Sequence, residues 1–371
     1  MDSYFPATYE DSRARFFRDV ERLRPKWHSS RLESHPLKEH PEVSIDWLWA
    51  EPRVRENLVM ISTAEHGIEG YAGSMALKIF MDEFAPRMNP EITGLLLVHA
   101  INPWGMKHHL RVNPNHVDLN RNFVLNGQYD PSINPDFKLL ANFLNPQRPV
   151  RTLSAESIPF LFSVIKNMIS PGKTRVQTAS LLGQHSDPKG IYFGGTKAEE
   201  ETLVLMELYR AALRDYQNFV QVDVHSGYGP RYQMTVLVPP LDEIPSDEAA
   251  QKFNYPLVQK VDADEFYAIS GDMGEFVYRL RDAEFPEKKV FAGGFEFGIY
   301  GDSLPALIRS LRTTILENQL RHHGAANPKA EAQVRAEYEE LFLPEESKWR
   351  EKAIADCRQA FEGIFKSFGL I

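Results

Sequence analysis

Short apolar runs alternate with helical stripes along most of this chain. In the opening segment to about Arg24, Phe16, Phe17, Val20 and Leu23 recur three to four apart, the period of an amphipathic helix. "EVSIDWLWAE" alternates around Ile45, Trp47 and Trp49 and predicts a strand. "ENLVMIST" is a continuous apolar run, as in strands buried on both faces. Beyond it, Ala76, Leu77, Phe80, Met81 and Phe84 return to helical spacing, and Pro86 ends the pattern. "EITGLLLVHAIN" is a second buried run. Strand, loop, helix, strand predicts a β-α-β unit with a right-handed crossover.

Residues 127–198 break this rhythm with Pro, Asn, Ser and Gly, and read as an excursion from the sheet. One helix is expected there, near "IPFLFSVIKNMI". "KAEEETLVLMELYRAALRDY" is strongly amphipathic. "NFVQVDVHSGYG", "YQMTVLVPP" and "KKVFAGGFEFG" predict further strands. Residues 303–371 read as a helical C-terminal part, with breaks near "GAANP" and "FLPEES". No internal repeat stands out. The expected class is α/β: a mostly buried sheet flanked by helices, with residues 1–371 as a single domain.

Composition narrows the partners. The 371 residues are 43% hydrophobic and 25% charged, as in a soluble globular protein. A net charge of −9 argues against non-specific nucleic-acid binding, which needs a basic field. Cys357 is the one cysteine, so neither an internal disulfide nor a cysteine-built zinc site is available. That usage fits a reducing compartment, and a cytoplasmic location is expected. The opening residues lack the basic and apolar regions of a signal peptide, and no run of about 18 apolar residues suggests a membrane partner. The oligomeric state is not legible.

The candidate chemistry sits where the predicted strands end, the edge at which open α/β sheets bind ligands. His66 and Glu69 follow one strand, His225 closes another, and Glu296 lies within a third, "GGFEFG". Two histidines and a carboxylate are a common set for a catalytic zinc. Each residue has a plainer reading. Glu69 could favour a helix N-terminus. His225 could be a hydrogen-bonded structural histidine, and Asp223, on the same strand face, its orienting partner or a salt-bridged carboxylate. Between these strands, "INPWGMKHHLRVNPNHVDLNRNF" carries the planar donors Arg111, Asn120 and Arg121. "DLNRNF" could equally be a turn in which Asp118 and Asn120 bond the backbone. His108, His109 and His116 read as solvated loop residues.

Taken together, H-G-x-E-G after a strand, N-P-x-G followed by Arg111 and "VDLNRNF", His-Ser after a strand, and the later "FEFG" resemble the zinc carboxypeptidase superfamily. The similarity covers most of Glu56–Tyr300 and is nearest to a DUF2817-like branch, beside the succinylglutamate desuccinylase and aspartoacylase deacylases. The resemblance implies a central mixed sheet of about eight strands. It implies one Zn2+ per chain, held by His66, Glu69 and His225. It implies that Arg111 polarises the scissile carbonyl, that Asn120 and Arg121 grip a substrate carboxylate, and that Glu296 is the general base and acid. The substrate would be a small molecule or peptide with a free carboxylate, cut by a carboxypeptidase or an N-acyl amino acid deacylase. An inactive binding protein that retains the fold is the third possibility. The run from Arg111 to the Asn-Arg pair is shorter than in digestive carboxypeptidases and closer to the deacylases. A substrate-capping tyrosine has Tyr267 as its candidate, with Tyr228 and Tyr300 as others.

Other motifs fail. "SPGKTR" is similar to a phosphate-binding loop, but Asn167 stands where the first glycine belongs. Neither a G-x-S-x-G elbow nor an H-E-x-x-H helix is present. "HSDPKGIYFGG" reads as a turn and short strand that could bring Tyr192 near the substrate.

Overall fold

The computed structural model describes residues 4–167, 173–262, 265 and 267–371. The chain opens with α1 (Tyr9–Leu23), whose stripe of Phe16, Val20 and Leu23 is buried. Strand β1 (Ser29–Pro36) pairs antiparallel with β2 (Ser44–Glu51). The β-α-β unit follows as β3 (Asn57–Thr63), α2 (Gly70–Ile79) and β4 (Thr93–His99), with β3 and β4 parallel and adjacent. A π-helical turn, Phe80–Phe84, extends α2.

The short helix α3 (Pro103–Lys107) then leads into the irregular region, which holds α4 (Pro135–Leu144), α5 (Leu153–Asn167) and α6 (Lys173–Leu181). The expected helix near "IPFLFSVIKNMI" is α5; Met168 and Ile169 lie outside the described residues. Instead of a short strand, "HSDPKGIYFGG" forms turns with one isolated bridge, from Gln184 to Phe193.

Helix α7 (Glu200–Asp215) leads to β5 (Asn218–Gly227), β6 (Met234–Val238), α8 (Ser246–Lys252), β7 (Val258–Lys260), α9 (Met273–Glu284) and β8 (Lys289–Gly298). The C-terminal part is α10 (Leu304–His323), α11 (Pro328–Phe342) and α12 (Ser347–Ser367), broken where "GAANP" and "FLPEES" predict. Among the described residues no helix is long and apolar enough to cross a membrane.

Among the described residues eight strands form one mixed sheet in the order β1-β2-β4-β3-β5-β8-β6-β7. Its centre, β4-β3-β5-β8, is parallel. Helices cover both faces, so the central strands bury alternate residues in two different cores. Val59 and Ile61 of β3 join α1, α2 and α12. Leu58 and Met60 of the same strand join α7 and α9. That double burial is why β3 and β4 read as unbroken apolar runs. The chain steps from β3 to β4 on one side and returns with β5 on the other. The carboxyl ends of β3 and β5 therefore flank the crevice where the strand order reverses, the place at which such sheets bind ligands.

The turn leaving β3 is tied to the loop leaving β4. Ile101 N donates to Thr63 O at 2.9 Å, and Gly67 N to Arg111 O at 3.2 Å. Ala64 takes the left-handed φ of 59° that opens this turn. Gly67 is needed for a different reason. A Cβ there would stand 2.2 Å from the carbonyl carbon of Gly105, in a backbone that cannot step aside. Gly67→Ala should destabilise the protein by about 1–3 kcal/mol, the usual range for overpacking. Urea unfolding checks this; an unchanged midpoint would show that the two loops have slack.

Candidate metal centre

The expected ligands converge. His66 Nδ1 lies 3.0 Å from Glu69 Oε1. His225 Nδ1 lies 3.3 Å from Glu69 Oε2 and 3.3 Å from His66 Nδ1. Donors at the corners of a tetrahedron with metal bonds of about 2.0–2.1 Å stand about 3.3 Å apart. The spacings are of the size such an ion needs, with His66 facing one Glu69 oxygen and His225 the other. The outer ring nitrogens face carboxylates: His66 Nε2 meets Asp118 Oδ1 at 3.1 Å, and His225 Nε2 meets Asp223 Oδ2 at 2.7 Å. Such partners fix each ring and leave the inner nitrogen for the metal.

Glu65 offers a second arrangement. Glu65, His66 and His225 have donor atoms within 4.8 Å of one another. The Glu69 set is the tighter one. Glu65 Oε2 lies 3.6 Å from His225 Nε2, the nitrogen already taken by Asp223. Both Glu65 oxygens are buried without a hydrogen-bond partner. Burial, reinforced by the nearby Asp223 charge, pushes this carboxyl well above its usual range. For Glu69, burial pushes upward too, but His66, His225 and Arg111 outweigh it and hold the carboxyl well below its usual range. Glu69 is the ionised member, and it does not cap α2 through its side chain.

Around this cluster the structure sorts the other expected residues. Arg111 lines the cavity beside the donors. Its Nε donates to Asp118 Oδ2 at 3.0 Å and its Nη1 to Glu69 Oε1 at 3.1 Å. Burial opposes its charge, but Asp118 and Glu69 more than restore it. Glu296 lines the same cavity and accepts from Tyr228 N at 2.9 Å. Burial, then the Glu69 charge, raises its carboxyl to about 8. It stands opposite His225 in the β5–β8 register, while Phe295 and Phe297 face the core behind. Asn120 lines the cavity, its Oδ1 accepting from Met273 N.

Arg121 is not brought to the cavity lining. It is 1% exposed, and its Nη atoms donate to Asn120 O and Leu181 O. Tyr192, which does line the cavity, lies beneath both Arg111 and Arg121 at 5.4 and 5.5 Å. Tyr267 and Tyr228 line it as well and meet edge to face. Tyr300 does not line it; its hydroxyl donates to Glu337 O. His116, expected in solvent, is buried against His322 because α10 covers its loop.

Asp118 is the residue that sequence reasoning undervalued. It does bond the backbone, accepting from Asn120 N. The same carboxylate also orients His66 and holds Arg111. The signal was a carboxylate two residues before an Asn-Arg pair, which local pattern can read only as a turn. Glu65 gave no signal except its place next to His66. Replacing Glu69 with Gln should abolish tight metal binding, whereas Glu65→Gln should retain it. Asp118→Asn and Asp223→Asn should each weaken affinity by about 10–100-fold. Equilibrium dialysis with a divalent metal measures all four; loss of metal in Glu65→Gln but not Glu69→Gln would reverse the assignment.

Comparisons with known proteins bear on the family. No curated protein matches the chain. Among solved structures it is similar to carboxypeptidase A from Helicoverpa armigera, at 15% identity over 91% of this chain and 74% of the other, with a TM-score of 0.46. It is similar to bovine thrombin-activatable fibrinolysis inhibitor at 14% identity over 90% and 97%, with a TM-score of 0.46. It is also similar to succinylglutamate desuccinylase/aspartoacylase from Rhodobacter sphaeroides at 16% identity over 82% and 67%, with a TM-score of 0.38. The family model described as "Protein of unknown function (DUF2817)" matches residues 5–356, so the chain belongs to the DUF2817 family.

Proposed function

We propose that the chain is a zinc-dependent hydrolase that cuts an amide bond in a carboxylate-bearing substrate, in the manner of a metallocarboxypeptidase. The observation that carries this reading is that His66 and His225, with Glu69 in contact behind them, line one cavity with Glu296, a carboxyl raised to about 8 on the neighbouring strand. His66, Glu69 and His225 would hold the metal and leave a position open. When bound, zinc acts as a Lewis acid and lowers the pKa of water to about 7.

The chain's own groups supply the rest. Glu296, its Oε1 fixed by Tyr228 N–H, takes a proton from the attacking water and returns it to the leaving amine. Arg111, locked by Asp118 and Glu69, holds a positive charge beside the oxygen that becomes negative. For a substrate carboxylate, Asn120 is in place, while Arg121 would have to exchange a main-chain carbonyl for the ligand.

Deacylation of an N-acyl amino acid is the second reading, favoured by the short run from Arg111 to Asn120. A catalytically silent binding protein is the third. With zinc supplied, Glu296→Gln should lower kcat/KM by about 10²–10⁴-fold without changing metal content. Chelation should abolish hydrolysis and zinc restore it. The assay is a panel of acyl-amino acids and short peptides, each as free acid and amide. Equal turnover of the amides would remove carboxylate recognition, and a metal-loaded protein that cuts nothing would leave the binding-protein reading.

A further inference from the structure

The cavity lined by His66 and His225 has a volume of about 180 Å³ and two chemically different parts. Its charged lining comes from the strand ends and the loops beside them: Glu65, His66, Arg111, Asp223, His225, Asp272 and Glu296. The lining supplied by α4, α5, α6 and α10 carries no charged side chain. On α10, Leu304, Leu307, Ile308 and Leu311 follow the i, i+3, i+4, i+7 spacing of one helix face, and all four line the cavity. Val164 of α5 and Val176 of α6 line it too.

That stripe is unlike those of α1 and α12, and α5 carries a more exposed one at Ile158, Leu161, Phe162 and Ile165. Where α1 and α12 bury theirs in the core, none of the four α10 residues is fully buried. Ile308 and Leu311 pack partly against a small cluster around Phe137 and Leu140, and Leu304 remains 44% exposed. An apolar helix face directed into a cavity continuous with a charged site is suited to one occupant: the apolar end of a molecule whose polar end meets the charges.

We propose that the substrate of the proposed hydrolase carries an aliphatic chain several carbons long on the amide, and that the α10 stripe with Val164 and Val176 is the surface that selects it. This rests on the hydrolase reading for the reaction, but not for the binding. The chain could be the acyl group of an N-acyl amino acid or the apolar side chains of a peptide. Both are the same chemistry to the wall, and they are told apart below.

The test measures hydrolysis and binding separately. Zinc-loaded protein is given N-acyl derivatives of one amino acid, from acetyl to lauroyl, and peptides of increasing aliphatic content. Each methylene that leaves water should raise kcat/KM about fourfold, the equivalent of ~0.8 kcal/mol, until the cavity is full. Whichever of the two series rises identifies the source of the chain. Calorimetry on the zinc-loaded Glu296→Gln protein reads the affinity of the same compounds. Leu307→Glu, with Leu304→Glu at the more exposed end as a second variant, should cut the advantage of long chains over short at least tenfold. Val54→Glu, on an exposed loop outside the cavity lining, should leave that advantage intact.

A flat or falling series, or an advantage that survives both α10 variants, overturns the proposal. Binding that tightens with chain length without any hydrolysis overturns the enzymatic reading and upholds the wall. Hydrolysis indifferent to chain length does the reverse.

Discussion

The structure turns on a charge imbalance held out of water. Glu65, Glu69, Asp118, Asp223 and Glu296 are all buried at one edge of the sheet, with Arg111 as the cation in their midst. Burying carboxylates costs several kcal/mol each unless they are paired, protonated or bound to a cation. The fold uses each remedy. Arg111 bridges Asp118 and Glu69, and His225 is drawn toward its charged form by Asp223 and Glu69 against the opposing effect of burial. Glu65 and Glu296 shift toward the neutral acid. A divalent ion among the inner nitrogens and Glu69 would relieve the same imbalance.

Topology makes that concentration of charge possible. The ends of β3, β5 and β8 are neighbours only because the chain reverses direction across β3. The donors come from positions 159 residues apart, yet Ser62 and Asp223 are register partners and share a hydrogen bond of 2.6 Å. The C-terminal helices then close the site. Tyr338 accepts from Arg111 N, and Ser226 donates to Phe342 O, so α11 buttresses both the arginine loop and the His225 strand.

Much of this was legible from pattern. The doubly buried β3 and β4 announce themselves as apolar runs, and β5, β8 and the order of the site residues along the chain could be read as well. Strand β1 could not. Its sequence, "SSRLESHP", is polar because it is a sheet edge, where Arg31 and Glu33 face solvent and Pro36 needs no partner for a missing N–H. Strand β7 has three residues, too few for any period. At the site, Arg121 suggested a carboxylate clamp, but its Nη atoms donate to main-chain carbonyls, while its buried Nε has no hydrogen-bond partner. Gly67 admits the backbone of another loop, a contact invisible in one dimension.

Chemistry and lining have separate origins in the chain. The strand ends supply groups that each serve several partners, so a substitution there disturbs a network. The α10 face serves a cavity, and its half-buried leucines and isoleucine hold few such obligations. Exchanging one aliphatic side chain for another at those positions costs little stability. The size of the space beside the strand ends is therefore adjustable without touching the charged residues, and a library restricted to four helix positions would sample that adjustment.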